Sequence, residues 1–129
     1  MDRHAASALR IAKWLSKQPA IRKIYYPGIA SSPRYEINTK QATGFGGMIS
    51  FEVDTEETAV NLLQRVKLIL FAESLGGTES LITYPLLQTH CDVPKEECFA
   101  KGINEKLLRL SVGLENVNDL IADLKQALA

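Results

Sequence analysis

The chain has 129 residues, which is enough for one domain with a buried core and too few for two domains of ordinary size. Fifteen basic residues balance fifteen acidic residues, and the basic residues are dispersed along the chain. This balance removes the electrostatic case for binding nucleic acid or an anionic membrane surface, because both need a basic patch.

No apolar stretch of the sequence reaches the roughly 20 residues that a membrane-spanning helix needs. The first residues lead into a charged amphipathic segment and lack the continuous apolar core of a secretory signal peptide. Two cysteines without such a signal indicate a reducing compartment. The sequence therefore predicts a cytoplasmic protein.

Hydrophobic periodicity and turn residues predict alternating helices and strands in the first half of the chain. The predicted elements are a helix over residues 2–17, a strand over 21–26, a helix from about 33 to 40 and a strand over 48–53. Pro19 ends the first helix, since the residue before a proline disfavours the helical conformation. Ser32 is expected to cap the second helix, with Pro33 at its first position.

The second half is predicted to contain three helices, two strands and a long loop. These are a helix from Thr55 to about Val66, a strand over 68–71, a mostly functional loop over 73–94, a helix over 95–101, a strand over 107–112 and a helix after Asn116. Thr55 and Asn116 suit helix N-termini, and Gly102 suits a C-terminus. The buried face of the last helix is predicted to contain Val117, Leu120, Ile121, Leu124 and Leu128.

The order of these elements also predicts the fold class. Strands are separated by helices, and the sequence shows no internal repeat and no low-complexity linker. Such a pattern indicates a single two-layer α/β domain over residues 1–129.

Arg109 is the first candidate functional residue, because it stands in an otherwise apolar strand, 107–112. Strand alternation puts Arg109 and Ser111 on one face and Leu108 and Leu110 on the other. The planar guanidinium offers a fork of donors that suits a carboxylate. From the pattern alone, a solvated or locally paired arginine is the more frequent outcome, so both interpretations stay open here.

Three segments of the chain resemble a known protein family. They are Glu-Ser-Leu-Gly-Gly-Thr-Glu-Ser-Leu at 73–81, Thr-His at 89–90 and Leu-Leu-Arg-Leu-Ser-Val-Gly-Leu-Glu at 107–115. They resemble the C-terminal domain of the Cys/Met metabolism (transsulfuration) enzymes that depend on pyridoxal phosphate, such as cystathionine γ-lyases and γ-synthases. The resemblance implies the small domain of fold-type I enzymes, a two-layer α/β sandwich of a small, mostly antiparallel sheet with helices.

The resemblance also implies roles for individual residues. In that family the arginine of the Arg-Leu-Ser-Val-Gly motif grips the α-carboxylate of the substrate, and Arg109 matches this arginine. Ser74, in Ser-Leu-Gly-Gly, corresponds to a serine beside the same carboxylate, although a simple turn would explain these residues too. Glu73 is typical of γ-acting members, where it bears on specificity for the distal part of the substrate. The implied substrate-binding residues are therefore Arg109, Ser74 and Glu73, with no catalytic residue in this chain.

The family holds pyridoxal phosphate as a Schiff base on a lysine in a larger, upstream domain. This sequence contains neither the Ser-x-Thr-Lys motif of that lysine nor the phosphate-gripping residues. The resemblance thus implies the C-terminal part of a cytoplasmic, homo-oligomeric lyase or transferase that acts on a sulfur-containing amino acid, with this part inactive alone. A free-standing, non-catalytic module that binds an amino acid or supports assembly is the alternative, and the reaction branch stays open.

A metal site is not predicted. Cys91 and Cys98 lie near His90, but their spacing matches no usual zinc arrangement and a fourth ligand is not evident. A disulfide between the two cysteines is not favoured in a reducing compartment. His90 is expected to be structural, because the family's chemistry assigns proton transfer to the lysine of the upstream domain.

Overall fold

A computed structural model describes residues 1–88 and 92–129. Helices and strands follow one another along these residues. In chain order they are α1 (Asp2–Leu15), β1 (Ile21–Tyr25), α2 (Tyr35–Gln41), β2 (Met48–Val53), α3 (Glu56–Arg65), β3 (Leu70–Phe71), β4 (Leu81–Thr83), α4 (Lys95–Ala100), β5 (Leu107–Ser111) and α5 (Val117–Leu128).

The five strands form one sheet in the order β1-β2-β5-β4-β3. Every neighbouring pair is antiparallel except β3 and β4, which run parallel. Helices α1 and α3 contact β2, and α5 contacts both helices. The predicted two-layer α/β sandwich with a mostly antiparallel sheet is therefore confirmed.

Side-chain alternation in β2 and β5 separates the core from a second face of the sheet. Ile49, Phe51, Leu108 and Leu110 are fully buried and belong to one hydrophobic cluster with the inner faces of the helices. The residues between them are mostly half-buried, as expected when successive strand side chains point to opposite faces. The predicted partition of β5 is confirmed, and Arg109 lies on the face away from the core.

Several predicted helix boundaries are confirmed by hydrogen bonds. The Thr55 hydroxyl accepts the main-chain N–H of Thr58 at the start of α3. The Asn116 side chain accepts the N–H of Asn118 at the start of α5. Gly102 follows α4 with a φ of +81°, a left-handed conformation in which a glycine costs little.

The predicted start of α2 is wrong by about two residues. The helix begins at Tyr35, and Ser32 does not cap it. Instead the Ser32 hydroxyl accepts a hydrogen bond from the N–H of Arg34, and the main-chain carbonyl of Ser32 accepts one from the N–H of Tyr35. The serine therefore stabilises a turn before the helix. This hydrogen bond competes with the helix cap that the same side chain was predicted to form.

Residues 73–94 were predicted to be mostly loop, and among the described residues of this range only the three of β4 form a strand, which the prediction missed. All three residues of β4 are buried, and the strand pairs with β5 on one side and β3 on the other. Three residues are too few for a periodic pattern to be recognised in the sequence. A short strand can still be stable in the sheet interior, where neighbours on both sides supply hydrogen bonds.

A strand was predicted over residues 68–71, but β3 begins only at Leu70. The main chain just before it is hydrogen-bonded to Asp123 of α5 and not to a neighbouring strand. One Asp123 carboxylate oxygen accepts the N–H groups of Leu68 and Ile69 at 2.8 and 2.9 Å, and the other accepts the N–H of Lys67 at 2.8 Å. Asp123 is itself buried. The carboxylate thus satisfies three main-chain donors in a segment without a strand partner, which the apolar pattern of α5 did not indicate.

The pKa of Asp123 reflects two opposing effects. Burial raises the pKa of this carboxyl, but the hydrogen bonds from Ile69, Lys67, Leu68 and Gln126 stabilise the charged form and outweigh burial. The net result is a pKa below the ordinary value for an aspartic acid.

In the part of the chain that the structure describes, no helix is both long enough and apolar enough to cross a membrane.

We expect Asp123→Ala to lower the free energy of unfolding by about 3 kcal/mol, because it removes the acceptor of the buried Ile69 N–H and of two neighbouring, part-buried N–H groups. Urea unfolding of the 129-residue chain measures this change. Asp119→Ala, which removes an exposed carboxylate from the first turn of the same helix, is the control and should cost at most about 1 kcal/mol. Equal losses for the two variants would contradict the role assigned to Asp123.

The lowered pKa of Asp123 predicts a pH dependence of stability. Its contribution is present above the unfolded-state pKa of about 3.9 and is lost as pH falls through the lower folded-state pKa. We therefore expect the stability difference between the wild type and Asp123→Asn, which cannot ionise, to shrink as pH falls below about 4. Urea titrations from neutral to acidic pH measure it, and a constant difference would refute the prediction.

Candidate functional site

Arg109 lies in the middle of β5, opposite Ser50 of β2 and Thr83 of β4. Its guanidinium Nη2 donates to the main-chain carbonyl of Glu73 at 3.0 Å and to the Thr83 hydroxyl oxygen at 3.5 Å. The Thr83 hydroxyl in turn donates to the carbonyl of Ala72 at 2.7 Å, which turns its lone pairs toward Arg109. The arginine is therefore held on a central strand by fixed acceptors.

The guanidinium of Arg109 is suited to bind an anion. The side chain is half-buried, and its two hydrogen bonds to Glu73 and Thr83 both use Nη2. A guanidinium carries five N–H donors, so these bonds leave donors that can face a carboxylate in a paired, bidentate arrangement.

The structure brings the three predicted site residues into one region. Glu73 contacts Arg109 through its main-chain carbonyl, so this contact does not depend on the Glu73 side chain, which is exposed. Ser74 follows directly, with its Cα about 3.8 Å from that of Glu73, and is also exposed. Ser74 therefore lies next in the chain to the main-chain acceptor of Arg109.

Residues 73–79, here called the 73–79 loop, are tied to β5 and α1 along their length. The N–H of Gly76 donates to the Ser111 hydroxyl at 2.8 Å. The carbonyl oxygen of Gly77 lies 3.2 Å from Nε2 of His4, and that of Thr78 accepts the N–H of Leu114 at 2.7 Å. The loop therefore has a defined position on the sheet.

A buried serine and a carboxylate anchor the end of this loop. Ser80 is fully buried, and its N–H and O–H donate to the two carboxylate oxygens of Glu115 at 2.6 and 2.8 Å. The Ser80 hydroxyl oxygen also accepts the N–H of Gly113 at 2.8 Å. The N–H and the hydroxyl of this buried serine are thereby both hydrogen-bonded.

Gly113 is required at this anchor by close packing. A Cβ atom at this position would collide with the carbonyl oxygen of Thr78 and would lie 2.5 Å from the carbonyl carbon of Glu79. These are main-chain atoms, which cannot move aside as a flexible side chain can. The turn after β5 and the end of the 73–79 loop therefore pack directly against each other.

Sequence reasoning did not assign a role to His4, Ser80, Thr83 or Glu115. Their contacts span large separations: 73 residues between His4 and Gly77, and 35 between Ser80 and Glu115. No local period reveals such pairs. Glu115 is the last residue of the 107–115 segment that resembles the family. Its place in that segment was the one feature of the sequence that could have marked it as important.

The prediction of a structural role for His90 lies outside the described residues, as do Thr89 and Cys91. Cys98 is buried in α4. Across residues 1–88 and 92–129, no group of three or more histidine, cysteine, aspartate or glutamate side chains could hold a metal ion.

Comparison with known proteins identifies the family. The model of the family described as Cys/Met metabolism PLP-dependent enzymes matches residues 1–129. The chain belongs to this family. A cystathionine β-lyase of Lactococcus lactis subsp. cremoris is 47% identical over 128 residues, which are 99% of this chain and 34% of the relative. An L-methionine γ-lyase of Fusobacterium nucleatum subsp. nucleatum is 50% identical over 129 residues, or 33% of its length.

A solved structure of a relative has the same fold. The cystathionine γ-lyase of Lactobacillus plantarum, crystallised with L-serine, superposes with a TM-score of 0.91 at 42% identity. The match covers 98% of this chain and 33% of that protein. The chain thus spans about one third of the length of its relatives in this family.

The family depends on pyridoxal phosphate (PLP). A lysine that forms an imine with this cofactor needs a depressed pKa, which burial in an apolar site provides. The nine lysines of this chain are exposed or, in the case of Lys106, half-buried. The residues present therefore do not fit covalent attachment of the cofactor.

We expect Gly113→Ala to lower the free energy of unfolding by about 1–3 kcal/mol, because the added methyl group forces main-chain atoms apart. Urea unfolding of the 129-residue chain measures it. Gly44→Ala is the matched control: a Cβ there meets nothing within 4 Å, and we expect a change of less than about 1 kcal/mol. A loss for Gly44→Ala as large as for Gly113→Ala would contradict the packing argument.

Proposed function

We propose that this chain is the C-terminal small domain of a longer PLP-dependent enzyme of sulfur amino-acid metabolism, similar to cystathionine γ-lyases and γ-synthases. In this proposal the domain covers residues 1–129 and binds the α-carboxylate of the substrate. The observation that carries the proposal is the guanidinium of Arg109, fixed by the Glu73 carbonyl and the Thr83 hydroxyl on a central strand with donors left for an anion.

Each proposed site residue has a distinct role. Arg109 binds the carboxylate through paired N–H donors, and the Ser74 hydroxyl adds a hydrogen bond at its edge. The Glu73 side chain, exposed beside them, faces the distal part of the substrate and affects specificity there. Together the residues orient the amino acid, and orientation of a bound reactant supplies a large share of rate enhancement in enzymes.

Relatives of the chain support an amino-acid substrate that contains sulfur. Their names include cystathionine β-lyase, cystathionine γ-lyase and L-methionine γ-lyase, at 42–50% identity. The solved γ-lyase contains L-serine, an amino acid with a free α-carboxylate. Relatives of both the β and γ branches match at similar identity, so the Glu73 side chain is our reason for preferring γ chemistry.

Exposed apolar residues support the proposal that the chain is part of a larger protein. Leu70 and Phe71 of β3 are each 51% exposed, and Leu75 of the 73–79 loop is 54% exposed. These three large side chains lie in one short stretch beside the candidate site. Grouped exposed apolar side chains commonly mark a contact surface. We propose that the PLP-binding part covers them in a cytoplasmic, homo-oligomeric enzyme.

A chimaeric enzyme tests this proposal. This chain would replace the matching residues of the Lactococcus cystathionine β-lyase, and we expect a PLP-loaded protein that cleaves a sulfur amino acid. Arg109→Ala in the chimaera should then lower kcat/KM by about 30-fold or more, since removing one partner of a desolvated charge pair costs about 2–5 kcal/mol. Steady-state kinetics with cystathionine and methionine measure it.

Two controls make the test decisive. Arg22→Ala removes an exposed arginine from β1 and should leave kcat/KM within about twofold. The isolated 129-residue chain should not turn over cystathionine. A folded, PLP-loaded chimaera without activity would refute the proposal. Calorimetric binding of amino acids by the isolated chain, abolished by Arg109→Ala, would favour the free-standing module instead.

A further inference from the structure

We infer that Glu115 is a positioning residue for substrate binding: through Ser80 it fixes the 73–79 loop and thereby the place of Ser74 and of the acceptor that orients Arg109. This inference rests on the proposed function. Glu115 itself lies at the turn after β5, six residues beyond Arg109 in the chain.

The first step is the strength of the Glu115 anchor. Both carboxylate oxygens accept hydrogen bonds from the same residue, Ser80, at 2.6 and 2.8 Å. Hydrogen bonds to a charged acceptor are stronger than neutral ones. Because Ser80 is fully buried, its N–H and O–H are shielded from solvent and depend on this carboxylate as their acceptor.

The second step connects this anchor to the candidate site. The Ser80 hydroxyl, held by Glu115, accepts the N–H of Gly113, and the next residue, Leu114, donates to the carbonyl of Thr78. These bonds join the C-terminal end of the loop to the turn after β5. The other end of the loop is joined to β5 by Gly76 and by the Glu73 carbonyl that Arg109 contacts.

The third step concerns the part of the loop that lies between its hydrogen-bonded ends. Ser74 and Leu75 are exposed and project from a loop whose main chain is fixed on either side of them. If the Glu115 carboxylate is removed, the loop end loses its charged acceptor and the loop can shift. The Glu73 carbonyl would then move relative to Arg109, which would misplace the N–H donors of the guanidinium and weaken binding of the substrate carboxylate.

Hydrogen exchange on the 129-residue chain tests the structural part of the inference. We expect Glu115→Ala to speed exchange of the Gly76 amide by about tenfold or more, although the acceptor of that amide is the Ser111 hydroxyl. The amide of Leu110, in the core of β5, should change much less. Unchanged exchange at Gly76 would show that the anchor does not control the loop, and would overturn the inference.

Kinetics of the PLP-loaded chimaera test the functional part. We expect Glu115→Ala to raise KM about tenfold, with kcat within about threefold of wild type. Glu115→Gln keeps an oxygen that accepts the Ser80 N–H and should recover most of the loss. Glu57→Ala, an exposed carboxylate on α3, is the matched control and should change neither constant.

Ser80→Ala provides an independent variant if Glu115→Ala fails to fold. It removes the hydroxyl that links Glu115 to Gly113 and should raise KM in the same way. Unchanged KM in these variants, or a fall in kcat at constant KM, would overturn the inference while leaving the proposed function intact. An inactive wild-type chimaera would instead refute the proposed function, and the exchange experiment would still decide whether Glu115 positions the loop.

Discussion

The pairing of β5 on both edges is the constraint on which the remaining structure depends. The main chain of β5 is hydrogen-bonded to β2 on one side and β4 on the other, so its successive side chains must point to opposite faces of the sheet. Leu108 and Leu110 enter the core beneath the helices, and Arg109 must therefore stand on the opposite face. A single strand thus joins the hydrophobic core to the candidate site, and the position of the guanidinium follows from the burial of its neighbours.

Two carboxylates extend this order to segments that have no strand partner. Asp123 accepts three N–H groups just before β3, and Glu115 accepts both donors of Ser80 at the end of the 73–79 loop. Buried main-chain donors need a partner, and a carboxylate can accept several at once. The two acids therefore fix the chain at both ends of the stretch that contains β3, Glu73 and Ser74.

Membership of the PLP-dependent Cys/Met metabolism family agrees with this arrangement. The chain corresponds to about one third of its relatives, and the fold matches the corresponding third of a cystathionine γ-lyase. Its exposed or half-buried lysines do not suit cofactor attachment, whereas Arg109 suits a carboxylate. We therefore propose a division of labour in which this part of the enzyme binds and orients the substrate and the remainder holds the cofactor.

The sequence by itself determined the elements that have a strong local signal. Met48–Val53 was predicted with its bounds, Thr55 and Asn116 were identified as caps, and the alternation around Arg109 was correct. Family motifs also indicated Arg109, Ser74 and Glu73, which the fold brings into one region, while their roles stay predictions. Each of these signals lies within a few residues of chain, where propensity, capping and side-chain period act.

Only the tertiary structure decided the features that depend on distant partners. β4 is too short to show a period and is stable because it lies between β5 and β3. The late start of β3 depends on Asp123, more than fifty residues away, and the end of the 73–79 loop on Glu115. The physical reason is the same in each case: a buried polar group must find a partner in space, and nothing in the local sequence states which residue the fold will bring to it.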